Sequence, residues 1–91
     1  MNTIAAVIPV FNAARFVIEC LDSVAAQTLP CAEIIVIDDG STDSSAELVH
    51  QWAAANPNCH LIYKYQDNTG VSQARNAGCA VASSTWIAFL D

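Results

Sequence analysis

Positive charge is the scarcest property of this chain. Its 91 residues carry three cations, Arg15, Lys64 and Arg75, against nine acids, for a formal net charge of −6. Gripping nucleic acid takes a cluster of cations that displaces counterions from phosphates, so this composition argues against a nucleic-acid partner. Glycine is equally sparse, at positions 40, 70 and 78. The first strand-like run carries no G-x-G-x-x-G, and no P-loop is present, which disfavours the dinucleotide fingerprint and its NTP-binding counterpart. The four cysteines, at 20, 31, 59 and 79, include no C-x-x-C pair, and nothing in their spacing suggests a secreted disulfide framework. Cys20 and Cys79 fall on apolar helical faces and are expected to be buried free thiols. His50 and His60 stand alone, without metal-ligand spacing. No apolar run approaches the roughly 20 residues of a membrane span. The N-terminus has no basic leader region, so a cytoplasmic location is expected.

Apolar residues, by contrast, are abundant: 54% of the chain is hydrophobic and only 13% charged. A chain this short buries a limited share of its surface. Two readings stay open. Either an Ala- and Val-rich α/β core absorbs the excess, or one face meets more protein, further polypeptide or a second copy in a homo-oligomer.

Four strand-like runs alternate with three helical patterns. "TIAAVIPV" (3–10) is continuous apolar strand. Between 13 and 27, Val17, Cys20, Leu21, Val24 and Ala25 recur at helical spacing, and Pro30 closes the segment. "EIIVI" (33–37) is β-branched throughout, as in a strand covered on both faces. Ser41, Thr42 and Asp43 offer helix caps, and Ser44 with Glu47 fits a capping box. The second helix turns Leu48, Val49, Trp52 and Ala53 inward and stops near Asn56-Pro57. "HLIYKY" (60–65) is a more polar strand, expected near an edge. "QDNTG" (66–70) is loop, and a third helix presents Val71, Ala74, Gly78 and Val81. "TWIAFL" (85–90) is the fourth strand, followed by Asp91.

The order βαβαβαβ predicts a Rossmann-like parallel sheet with right-handed crossovers and helices on its faces, a three-layer α/β/α arrangement. All strand C-termini then share one edge, where ligands of such sheets bind. That edge collects Pro9, Phe11 and Asn12, then Asp38 and Asp39, then Asp67 and Asn68, and finally Asp91. Carboxylates gathered without cations favour raised pKa values or a bound cation. A receiver-type domain also gathers acids at strand ends, but its acid pair follows the first strand, where this chain has Pro-Val-Phe-Asn.

"VIPVFN" (7–12), "IIVIDDGSTDSS" (34–45), "NTGVSQARNAG" (68–78) and "WIAFLD" (86–91) resemble, in order and spacing, the N-terminal half of family 2 glycosyltransferases of the GT-A fold. The resemblance covers essentially the whole chain. It implies that residues 1–91 form the nucleotide-binding half of a truncated GT-A domain, whose donor is a nucleotide-diphosphate sugar, UDP-linked, and whose acceptor is a saccharide or other hydroxyl. It implies transfer with inversion, assisted by a divalent metal, Mn²⁺ or Mg²⁺, in the intact enzyme.

By that resemblance Pro9 and Phe11 line the nucleoside pocket, with the Phe11 ring against the base. Asp39 accepts a hydrogen bond from the base's ring N–H. Arg75 matches the Arg of the family's "ARNxG" element, and Asp91 the first Asp of the metal-binding Asp-x-Asp motif. The residues alone also allow a plainer account: Phe11 as core aromatic, Asp39 as helix cap, Arg75 as salt-bridge partner. Asp38 is open between loop capping and ligand contact. The rest of the Asp-x-Asp motif, the acceptor site and the catalytic base have no counterpart in these residues, so the chain is expected to be inactive alone. The alternative is a non-catalytic α/β module that binds nucleotide or serves assembly.

Overall fold

The computed structural model describes residues 3–26 and 32–90. The elements are β1 (Ile4–Val10), α1 (Val17–Ala25), β2 (Glu33–Asp39), α2 (Ser45–Ala55), β3 (Leu61–Gln66), α3 (Val71–Val81) and β4 (Trp86–Phe89). The sheet is wholly parallel, in the order β3-β2-β1-β4. The polar strand β3 lies at an edge, as its composition suggests. The opposite edge belongs to β4, which is apolar.

Side-chain alternation divides the core in two. Ala6, Ile8, Val10, Ile34 and Val36 pack under Val17, Leu21 and Val24 of α1 and Val49 and Trp52 of α2. Ala5, Val7, Ile35 and Ile37 pack under Ala74 of α3, with Ala77 and Val81 alongside. The chain steps one way from β1 through β2 to β3, then returns across the sheet to β4. A crossover of unchanged hand must pass over the other face when its direction reverses, and α3 does so. That return crossover runs close to the sheet. A Cβ placed on Gly78 would stand 2.3 Å from a methyl of Val7, so only glycine lets α3 settle at this depth.

Four local expectations differ from the structure. The first helix starts at Val17 instead of Ala13, because the N–H groups of Phe16 and Val17 both turn back to the Ala13 carbonyl in a tight turn. β2 runs on to Asp39, so both acids of the pair are strand residues. The Ser44–Glu47 capping box does not form, since no side chain of Ser44 caps α2; Asp43 takes that place, its Oδ1 accepting the Ser45 N–H at 2.9 Å. Cys79 is exposed on α3, while Cys20 is half-buried. Cys79 falls on the solvent side because Ala74 and Gly78 already occupy the face toward the sheet. Pro30, Cys31 and Asp91 lie outside the described residues.

Candidate nucleotide site at the strand ends

Asp38 and Asp39 are adjacent in sequence and on opposite faces of the sheet. Both are buried, at 1% and 5% exposure. Asp38 shares its face with Ile34 and Val36. There its Oδ2 accepts the Tyr63 hydroxyl at 2.6 Å, and its Oδ1 accepts the Ser41 N–H at 2.8 Å. Burial, reinforced by the Asp38 carboxylate, raises the Tyr63 phenol well above its ordinary value. Asp38 therefore fixes the β2–α2 turn and faces away from the cavity described below.

Asp39 shares its face with Ile35 and Ile37, toward α3. Its Oδ1 accepts the Gln66 amide at 3.0 Å, the Thr69 N–H at 2.9 Å and the Thr69 hydroxyl at 3.4 Å. Its Oδ2 accepts the Gly70 N–H at 2.9 Å. These donors, the Gln66 amide foremost, hold the Asp39 carboxyl below the ordinary carboxylate range. The expectation of a raised pKa is thus reversed at Asp39. Alternation separates the two carboxylates, and each meets N–H or O–H donors in place of another charge.

Two loops are clasped together beside them. Asn12, held at φ +49°, a conformation Asn tolerates better than most residues, accepts the Thr42 N–H at 2.8 Å and the Asp43 N–H at 3.3 Å on its Oδ1. Its own N–H donates to Ser41 Oγ at 2.9 Å. Asp43 Oδ2 accepts the Ala14 N–H at 3.1 Å, while Ser45 Oγ accepts that of Ala13 at 3.1 Å. The Ser45 hydroxyl and N–H together hold the Asp43 carboxyl low. Gly40 serves a third loop: its φ is +84°, and a Cβ there would stand 2.9 Å from the Asn68 nitrogen. So the ends of β1, β2 and β3 are locked to one another through polar contacts.

Between them opens a cavity of about 280 Å³, lined by Pro9, Val10, Phe11, Asp39, Asn68, Gly70 and Val71. Phe11 is 51% exposed and Val71 48%, so Phe11 is no core aromatic. The ring and the valine are apolar rims around one carboxylate. Pro9, Phe11 and Asp39, singled out from the sequence, thus come together. Arg75 lies outside this lining; its guanidinium sits 5.8 Å from the centroid of the Phe89 ring on β4. Among the described residues no three His, Cys, Asp or Glu side chains converge on a common point. Gln66 and Thr69 escaped the sequence reading, because a strand-end Gln and a loop Thr carry no signal until the register sets Gln66 beside Asp39.

A parallel sheet of this order, with a cavity at the C-terminal ends of β1 and β2, defines a Rossmann-like α/β architecture. The mannosyltransferase of Pyrobaculum calidifontis, solved with GDP-Man and Mn²⁺, superposes with a TM-score of 0.83 at 27% identity, over 88% of this chain and 24% of its own. Staphylococcus aureus TarS residues 1–349, solved with UDP, superposes at 0.86 with 26% identity, over 98% and 27%. The fold is accordingly that of the GT-A glycosyltransferases. Glycosyltransferase YibD of Escherichia coli K12 is 40% identical over 99% of this chain and 26% of its own length. The model of glycosyl transferase family 2 matches residues 5–91, and the chain belongs to that family. It spans about a quarter of the length of YibD.

Proposed function

We propose that this chain is the donor-binding part of an inverting glycosyltransferase that uses a UDP-sugar. The observation that carries the reading is the cavity in which Pro9 and Phe11 face the Asp39 carboxylate. An ionised carboxylate only accepts, and uracil presents a ring N–H donor at N3. An exposed phenyl offers its π face to the flat base. The solved relatives in complex with UDP and with GDP-Man support a nucleotide-sugar donor.

The residue that takes the proton of the acceptor hydroxyl lies outside Glu33, Asp38, Asp39 and Asp43. Each of these is held by protein donors. The chain alone is therefore proposed to bind donor without turnover. Asp91 is the proposed metal ligand, and it lies outside the described residues. A divalent cation, Mn²⁺ or Mg²⁺, when bound, supplies positive charge to the departing diphosphate. Arg75 is proposed to approach the donor from α3, on the side of β4. A cytoplasmic location fits the free thiols of Cys20, Cys59 and Cys79, and no helix among the described residues is long and apolar enough to cross a membrane. Self-association through β4 is proposed from the exposure of Trp86, Ile87 and Phe89 on an open edge.

The test is an amide NMR titration with UDP, GDP and ADP, each with and without Mn²⁺. Selective UDP shifts at Phe11 and Asp39, lost in Asp39→Ala, are the expected result. Equal shifts for all three nucleotides, or none, would leave family and fold standing without a base-reading pocket.

A further inference from the structure

We propose that Gln66 is a positioning residue for base selection: it saturates one oxygen of Asp39 and leaves the other to face the base. This inference rests on the nucleotide reading above and goes a step beyond it. A carboxylate offers about four lone-pair positions. Among the described residues, Oδ1 receives three donors, the Gln66 amide, the Thr69 N–H and the Thr69 hydroxyl. Oδ2 receives one, the Gly70 N–H. The acceptor capacity that remains is on Oδ2, in a side chain that lines the cavity.

The orientation of Gln66 is itself specified. Its Nε2 also donates to Thr69 Oγ1 at 3.1 Å, so both acceptors demand the amide nitrogen on that side. The backbone bonds to Thr69 and Gly70 fix where the 67–70 loop meets Asp39. Only the Gln66 amide approaches from the strand side, from the residue in register with Asp39. Without it, Oδ1 keeps its Thr69 donors and Oδ2 its Gly70 N–H, all from the loop side, and the carboxylate loses the one donor that restrains its turning from the strand side. A turned carboxylate distinguishes poorly between a base that presents a ring N–H and one that presents a bare ring nitrogen. Uracil and cytosine differ at N3 in that respect, so the UDP to CDP preference is the property Gln66 controls.

The decisive variant is Gln66→Met, which keeps length and volume and removes the donor. Two readouts are taken on the chain: the carboxyl midpoint of Asp39 by carbon-detected NMR, and the ratio of UDP to CDP dissociation constants. The expected result is a rise in the Asp39 midpoint together with a fall of about tenfold in the UDP preference. One hydrogen bond to a charged group is of that order. Gln66→Lys restores a donor; its charge alone lowers the Asp39 midpoint, so the discriminating result is the return of the UDP preference toward the wild type, which a purely structural role for Gln66 does not require.

A folded Gln66→Met with an unchanged midpoint, or with an unchanged UDP to CDP ratio, overturns the proposal. If Gln66→Met does not fold, the wild-type chain still decides: the side-chain amide protons of Gln66 must shift with the Asp39 midpoint, and a flat response overturns it. A wild-type chain that binds UDP and CDP equally overturns the base-reading pocket and the proposal together, whereas a selective wild type beside a folded, equally selective Gln66→Met overturns the role of Gln66 alone.

Discussion

β2 and β4 are both apolar parallel strands, and they have opposite fates. All seven residues of β2 are buried, including Glu33, Asp38 and Asp39. All four residues of β4 are exposed, with Trp86 at 59% and Phe89 at 47%. The difference lies in their neighbours. β2 sits between β1 and β3 with helices over both faces; β4 has β1 on one side and an open edge on the other. Local composition reports that a strand can be buried, and sheet position decides whether it is.

The acids show the same contrast in another form. Three carboxylates are buried in β2 because donors meet them there. At the opposite end of the strand from the cavity, Glu33 accepts the Ser84 hydroxyl at 2.6 Å and the Ser83 N–H at 3.0 Å. The Ser84 hydroxyl is the main reason its carboxyl stays below the ordinary range. One strand thus anchors the α3–β4 connection at one end and the cavity at the other.

Paired truncations test the contrast most strongly. Ile35→Ala removes a fully buried side chain and is expected to cost about 2–5 kcal/mol. Ile87→Ala, on a residue 36% exposed, should cost less than about 1 kcal/mol. Urea denaturation of both variants measures the gap, and similar losses would mean that β4 is covered in solution.

Acid unfolding sharpens the comparison next. Glu33 and Asp39 have folded pKa values below their ordinary ones. Folding therefore disfavours their protonation, and their contribution is complete above the ordinary carboxylate range, at roughly pH 4. It is lost as the pH falls through the lowered folded values. The urea midpoint should stay level from neutrality to about pH 5 and then drop. Glu33→Gln should flatten that drop, whereas β4, with no titratable side chain in Trp86–Phe89, should leave its shape untouched when altered. A drop of identical shape in Glu33→Gln would show that Glu33 is not the linked group.

Trp86→Lys is expected to have the smallest effect on folding, within about 0.5 kcal/mol for an exposed site. Its effect on assembly should be clear, because a charge on an open edge discourages strand pairing. Sedimentation velocity over a range of concentrations should show the wild type associating and the variant monomeric. A monomeric wild type would remove β4 as an assembly surface.

Much of this was legible in the residues. Hydrophobic period and turn residues gave the βαβαβαβ order, the polar edge strand and the rim that holds Pro9, Phe11 and Asp39. Four motifs in register gave the family, which the match over residues 5–91 shows. The capping box failed because Ser44 and Asp43 compete for one helix start, and Asp43 reaches the Ser45 N–H there. Gln66 went unread because its partner lies 27 positions away.

The sequence by itself determined the elements, their order and the edge at which chemistry collects, because period, β-branching and caps act over a few residues. Only the tertiary structure decided that Asp38 turns away from the cavity to Tyr63 and Ser41, which loops clasp each other and which apolar strand stays exposed. Those outcomes depend on strand register and crossover direction, which bring together donors and acceptors some 30 residues apart and which no short stretch of chain encodes alone.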